Sequence, residues 1–106
     1  MANDEMRYVE ATIASGASLS DAIDIRAGTP VAIIMPSWTA ANVTFAVGRG
    51  PNICVPLYDT FGNEVMFPVQ ADSAVRVPED VLRGWPYLQV RSGPSGDPVA
   101  QAAART

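Results

Sequence analysis

The chain has 106 residues, 48% of them apolar and only 17% charged, so it is long enough for one domain with one core and too apolar to be disordered by charge. Seven arginines against eleven acids leave a net charge of −4, which excludes a broad basic face for nucleic acid. Histidine and lysine are absent and Cys54 is the single cysteine. That removes Ser-His, Cys-His and His-metal chemistry, Schiff bases, cysteine-based zinc sites and intrachain disulfides together. The acidic start Met1-Ala2-Asn3-Asp4-Glu5 lacks the pattern of a signal peptide, and the aliphatic run Val31 to Met35 is too short to span a bilayer. The expectation is a soluble domain made in a cytoplasm, with no nucleic-acid or membrane partner and no cofactor.

Scattered prolines and glycines cut the chain into strand-length pieces. Met6 to Ala14 reads as a first extended segment, and Ser15 to Ser18 as a turn. In Leu19 to Ile25, Leu19, Ile23 and Ile25 share one parity while Ser18, Asp24 and Arg26 take the other, the pattern of a half-buried strand. Val31 to Met35, continuously apolar between Pro30 and Pro36, reads as a central strand buried on both sides. Val43, Phe45 and Val47 alternate with Asn42, Thr44 and Ala46 before the loop Gly48 to Asn52. Ile53 to Tyr58 and Glu64 to Val69 flank Asp59-Thr60-Phe61-Gly62-Asn63 and predict a hairpin. Ala74 to Val77 is a further strand, Pro78 to Gly84 a helical turn with proline at its start and glycine at its end, and Tyr87 to Arg91 the last clear strand.

About eight short strands separated by turns predict an all-β domain, an antiparallel β-sandwich of jelly-roll type, over residues 1–92. A closed barrel would carry the same pattern. Residues 93–106 have one larger aliphatic, Val99, and predict an extended C-terminal arm. With Met1 to Arg7, this arm is expected to need a partner to become ordered, so removing Gly93 to Thr106 should leave the isolated domain folded.

Several segments, S-L-S-D-A-I-D-I (18–25), I-M-P-S-W-T-A-A-N-V-T-F (34–45), L-Y-D-T-F-G-N-E-V (57–65), Y-L-Q-V-R-S-G (87–93) and P-V-A-Q-A-A-A-R-T (98–106), resemble small virion structural proteins of tailed bacteriophages. The closing Tyr-x-x-Val-Arg-Ser pattern is also weakly similar to the last strands of discoidin-like, galactose-binding-like sandwiches. The resemblance implies a non-enzymatic virion component, such as a capsid decoration or cement protein, a head fibre or a tail accessory. Its implied partners are the major capsid protein, other virion proteins or further copies of itself.

On that reading the contact residues are Arg7, Arg49, Arg91, Val99 and Arg105, the arginines because a planar guanidinium pairs bidentately with carboxylates. The alternative is a carbohydrate-binding module for host surface polysaccharide, with Trp38, Asn42 and Arg49 as its platform, since sugar rings stack on aromatic faces. Trp38 lies in a polar loop and is the better surface candidate, whereas Trp85 between Gly84 and Pro86 is placed to cap the core. Asp59, Asn63 and Glu64 are acid-rich enough to suggest calcium, but their spacing fits ordinary turn chemistry better.

Overall fold

A computed structural model describes residues 8–106, so the readings placed on Met1 to Arg7 lie outside the described residues. Two antiparallel sheets carry the chain. The larger is built from β1 (Ile23–Asp24), β7 (Tyr87–Ser92), β3 (Val43–Gly48) and β4 (Cys54–Pro56) in that order, with β5 (Met66–Phe67) also paired to β3. The smaller joins β2 (Ala32–Ile34) to β6 (Ala74–Arg76), and α1 (Glu79–Leu82) is the one helix among the described residues, starting after Pro78 as expected.

β3 is the organising strand, buried along its whole length. Its Val43, Phe45 and Val47 join Leu88, Ile25, Met35, Val77 and Leu82 in one core, and Ile33 and Val75 of the small sheet pack against that cluster. Phe45 meets Phe67 in a tilted aromatic pair with centroids 5.7 Å apart. The other face of β3 carries Thr44, Ala46 and Gly48, small residues over which chain from outside the sheet closes. The Thr44 hydroxyl donates to the Gly93 carbonyl at 2.7 Å. At Gly48 an added Cβ would lie 2.3 Å from the Ile53 carbonyl oxygen, so the tight turn into β4 has room only for glycine.

Four sequence expectations need correction. First, β2 is no central strand: it pairs only with β6, and Val31 and Ile34 are 45% and 79% exposed. A continuous apolar run looks the same whether both faces are covered or only Ile33 and Met35 turn inward.

Second, the parity of Leu19 to Ile25 breaks. Ser20 is buried and Leu19 exposed. Ser20 N donates to Val90 O, whereas Ile23 stands opposite Leu88, so the sum of paired positions moves from 110 to 111. One extra residue at Asp21–Ala22 makes a β-bulge, and the Ser20 hydroxyl accepts from Val90 N at 2.9 Å within it.

Third, the Asp59 to Asn63 hairpin is present but small, with Tyr58 opposite Glu64. Its arms then diverge and lie end to end along the same edge of β3, Cys54–Pro56 against Ala46–Gly48 and Met66–Phe67 against Val43–Thr44. β4 and β5 are thus one broken strand from which the hairpin projects.

Fourth, residues 93–106 are extended, but their partner lies in the same chain. Gly93, at φ +86°, turns the chain back so that Val99 N donates to Ser92 O. Beyond it, Gln101 bonds to Gly16 and Ala17, and Ile13 and Arg105 exchange two hydrogen bonds of 2.8 Å each. This seam is part of the fold, so removing Gly93 to Thr106 is now expected to unfold the domain.

Candidate interaction surfaces

The seam is built around Gln101, which is fully buried. Its Nε2 donates to Ser92 Oγ at 2.7 Å and to Thr39 O at 3.1 Å, while its Oε1 accepts from Thr39 N at 2.8 Å and Arg105 Nε at 3.1 Å. Both amide protons and two oxygen lone pairs are therefore used. Arg105 also donates to Thr39 Oγ1 at 3.2 Å. The expected contact residues Val99 and Arg105 are thus engaged within the chain. Sequence reasoning missed Gln101; its one signal is that it is the single amide in an alanine-rich tail.

Arg91 is likewise internal. It stands opposite Thr44 on the non-core face of the sheet, and its Nη1 lies 3.5 Å from Glu64 Oε2, with the two side chains 12% and 10% exposed. Glu64 also accepts the Ser95 amide at 2.9 Å. The projecting hairpin brings Glu64 to this place, which explains why no local pattern announced the pair. Asp59 is used by its own turn, accepting from Phe61 N at 2.8 Å and Asn63 N at 3.0 Å, so it behaves as turn chemistry rather than as a calcium ligand.

The two indoles exchange the roles expected of them. Trp38 is half-buried, packs against the core and donates Nε1–H to Ala41 O at 3.1 Å. Trp85 is the more open, 37% exposed, beside a 260 Å³ cavity that it shares with Arg26, Thr29 and Leu82. The reason is the chain on either side: the Pro36–Asn42 loop folds back on the core through Thr39 and Gln101, while Trp85 follows α1 at the end of the layers. Asn42 and Arg49 are exposed, but Arg49 sits at the β3–β4 turn, at the end of β3 opposite to Asn42. The proposed platform is therefore not assembled around Trp38.

Asp24 and Arg26 form an exposed ion pair of 2.6 Å, and the guanidinium lies 5.5 Å from the centre of the Tyr87 ring. The side-chain hydrogen bond from Arg26, with the Arg26 amide added to it, lowers the Asp24 carboxyl to about 2. The same bond raises the Arg26 guanidinium. Burial raises the Cys54 thiol, as suits a packing residue rather than a nucleophile.

Two apolar surfaces remain. A groove of about 1070 Å³ runs between β1 and β2, floored by core residues such as Phe45 and Leu88 and rimmed by exposed Tyr8, Val9, Val31 and Ile34. On the other side of the molecule the β4–β5 edge exposes Ile53, Val55, Tyr58 and Met66, and Phe61 at the hairpin tip is 88% exposed. Among the described residues no helix is long and apolar enough to cross a membrane. No family model, no curated protein and no solved structure matches the chain.

Proposed function

We propose that this chain is a small β-sandwich of jelly-roll type that serves as a non-enzymatic structural component of a phage particle, a decoration or cement protein on the outside of the head. The observation that carries the reading is the apolar β4–β5 edge with its projecting hairpin, where Ile53, Val55 and Phe61 are 55%, 59% and 88% exposed. Side chains of this size standing in water at one edge fit a surface that is covered on assembly. The carboxylates support a structural role too: Asp21, Asp24, Asp59 and Glu64 all bind amides or guanidinium groups of their own chain. With Arg91, Val99 and Arg105 engaged internally, the contact moves to this edge and to Arg49, which is exposed at the β3–β4 turn. The partner is the major capsid protein or another virion protein.

The test is quantitative mass spectrometry of purified particles, with this chain's copy number set against the major capsid protein. A ratio near one per capsid subunit or capsomer is the expected result, and Phe61→Ser is expected to lower it while leaving the isolated fold unchanged. Absence from the particle would overturn the proposal.

A glycan-binding reading is favoured by one observation, the open Trp85 ring beside a cavity that also presents Arg26 and Thr29. Host polysaccharide that quenches or shifts tryptophan fluorescence in the parent but not in Trp85→Ala would support it; an unchanged spectrum would reject it.

A further inference from the structure

Among the described residues the two sheets have four lateral edges, the broken β4–β5 strand counting as one, and those at β1, β4 and β6 are blunted. At β1 the outward main chain belongs to Asp24, which carries the ion pair with Arg26. At β4, Leu57 N donates inward to Phe45 O, so the alternation turns Cys54 and Pro56 outward, and Pro56 has no N–H to offer. The outer edge of β6 bears Arg76. Charge and proline at an edge are how sheets avoid pairing with other chains.

β2 has neither. Val77 N donates to Val31 O at 2.8 Å and Met35 N to Ser73 O at 2.7 Å, so Val31, Ile33 and Met35 turn their main chain toward β6. The N–H and C=O groups of Ala32 and Ile34 point the other way, and among the described residues they have no partner. Ile34 is 79% exposed, and no ionisable side chain occurs from Ala27 to Gly48.

We infer that β2 is a self-association strand, pairing antiparallel with β2 of a second copy about a two-fold axis through Ile33. The sequence around it is built for that occupant. Pro30 and Pro36 stand at equal distances from Ile33, so in the paired form each proline of one copy falls opposite the other proline of the second, just outside the ladder. Inside it, Ala32 and Ile34 of each copy exchange hydrogen bonds with Ile34 and Ala32 of the other, and every outward donor of β2 is used. The result is a continuous sheet in the order β6-β2-β2-β6.

Charge permits the same partner: each chain carries −4, a net repulsion between copies, and β2 is where they meet without placing like charges face to face. The two β6 strands that carry Arg76 lie three strand spacings apart, about 14 Å between backbones, beyond the roughly 8 Å screening length of physiological salt. Tyr8 and Val9, exposed on the same groove, extend the apolar surface beside the new ladder. A two-fold contact of this kind is closed, so it stops at the dimer.

Sedimentation of the whole chain over a range of concentrations tests the inference. A concentration-dependent species of twice the 11.2 kDa chain mass is expected, lost in Ile34→Lys, whose exposed position leaves circular dichroism unchanged, and thermal unfolding unchanged at dilutions where the parent is monomeric. Register is read by disulfide trapping in a Cys54→Ser background. Ala32→Cys mixed with Ile34→Cys should cross-link, because directly opposed residues lie within disulfide reach, whereas either variant alone should not. A chain that stays monomeric, a dimer indifferent to Ile34→Lys, or cross-linking of Ala32→Cys with itself would each overturn the proposal.

Discussion

Gln101 and Thr39 hold each other through both ends of one amide: Thr39 N donates to Gln101 Oε1 at 2.8 Å and Gln101 Nε2 returns a bond to Thr39 O at 3.1 Å. The side chain thus completes a main-chain ladder that no strand supplies, and it ties the last residues of the described chain to the loop leading into β3.

Gln101→Ala is expected to leave the Thr39 amide, its carbonyl and the Ser92 hydroxyl without this partner. A cost of about 2–4 kcal/mol follows from stranding several buried polar groups at once, measured as a lower urea midpoint at unchanged slope. Gln101→Glu should not rescue it, because a carboxylate cannot donate to Thr39 O. Chain shortened after Ser92 should lack a cooperative transition altogether, since it loses Gln101, the Gly93 carbonyl that holds Thr44, and the pairing with Ile13. A sharp transition in the shortened chain would refute the seam's structural role.

The Arg91 and Glu64 pair should behave as a unit. Glu64→Leu leaves Arg91 without its countercharge and the Ser95 amide without its acceptor, and a buried ion stripped of its partner costs about 3 kcal/mol or more. Arg91→Met alone strands the carboxylate. Combined with Glu64→Gln, which keeps an acceptor for Ser95, Arg91→Met should cost less than the sum of the two single changes. A double-mutant cycle by denaturant unfolding measures this, and strict additivity would mean the two side chains do not interact.

For Asp24 the sign is set by the lowered carboxyl, about 2 in the folded chain against an ordinary 3.8. The folded state holds its proton less tightly than the unfolded chain, so the contribution is fully present above pH 4 and fades as pH falls toward 2. The stability difference between the parent and Asp24→Asn is therefore expected to shrink across that window and to be smaller in high salt, because the pair is exposed. Thermal unfolding followed from pH 5 to pH 2 checks it; a difference constant over the range would assign the effect to packing against Tyr87 instead.

Much of the β architecture was written in local pattern. The alternation of Val43, Phe45 and Val47, the Asp59–Asn63 turn, the Pro78-to-Gly84 helical turn and the strand from Tyr87 each depend on spacing within a few residues, and each stands where those spacings place it. The candidate contacts were less legible. Arg91 and Arg105 are arginines in strand-like surroundings, and nothing nearby in the chain tells whether a guanidinium meets solvent, a partner or a carboxylate folded in from elsewhere.

By itself, then, the amino-acid sequence determined the all-β class, the absence of histidine and lysine chemistry, and the uncharged proline-bounded run at β2. Tertiary structure alone decided which edge that run occupies, where the bulge at Asp21–Ala22 reverses parity, that β4 and β5 share one edge of β3, and that the tail closes on Ile13 to Ala17. The division has a physical cause. Periodicity records which side of a segment is apolar, but the hydrogen bonds that choose its neighbour join residues as far apart as Ile13 and Arg105, and no local pattern encodes such a pairing.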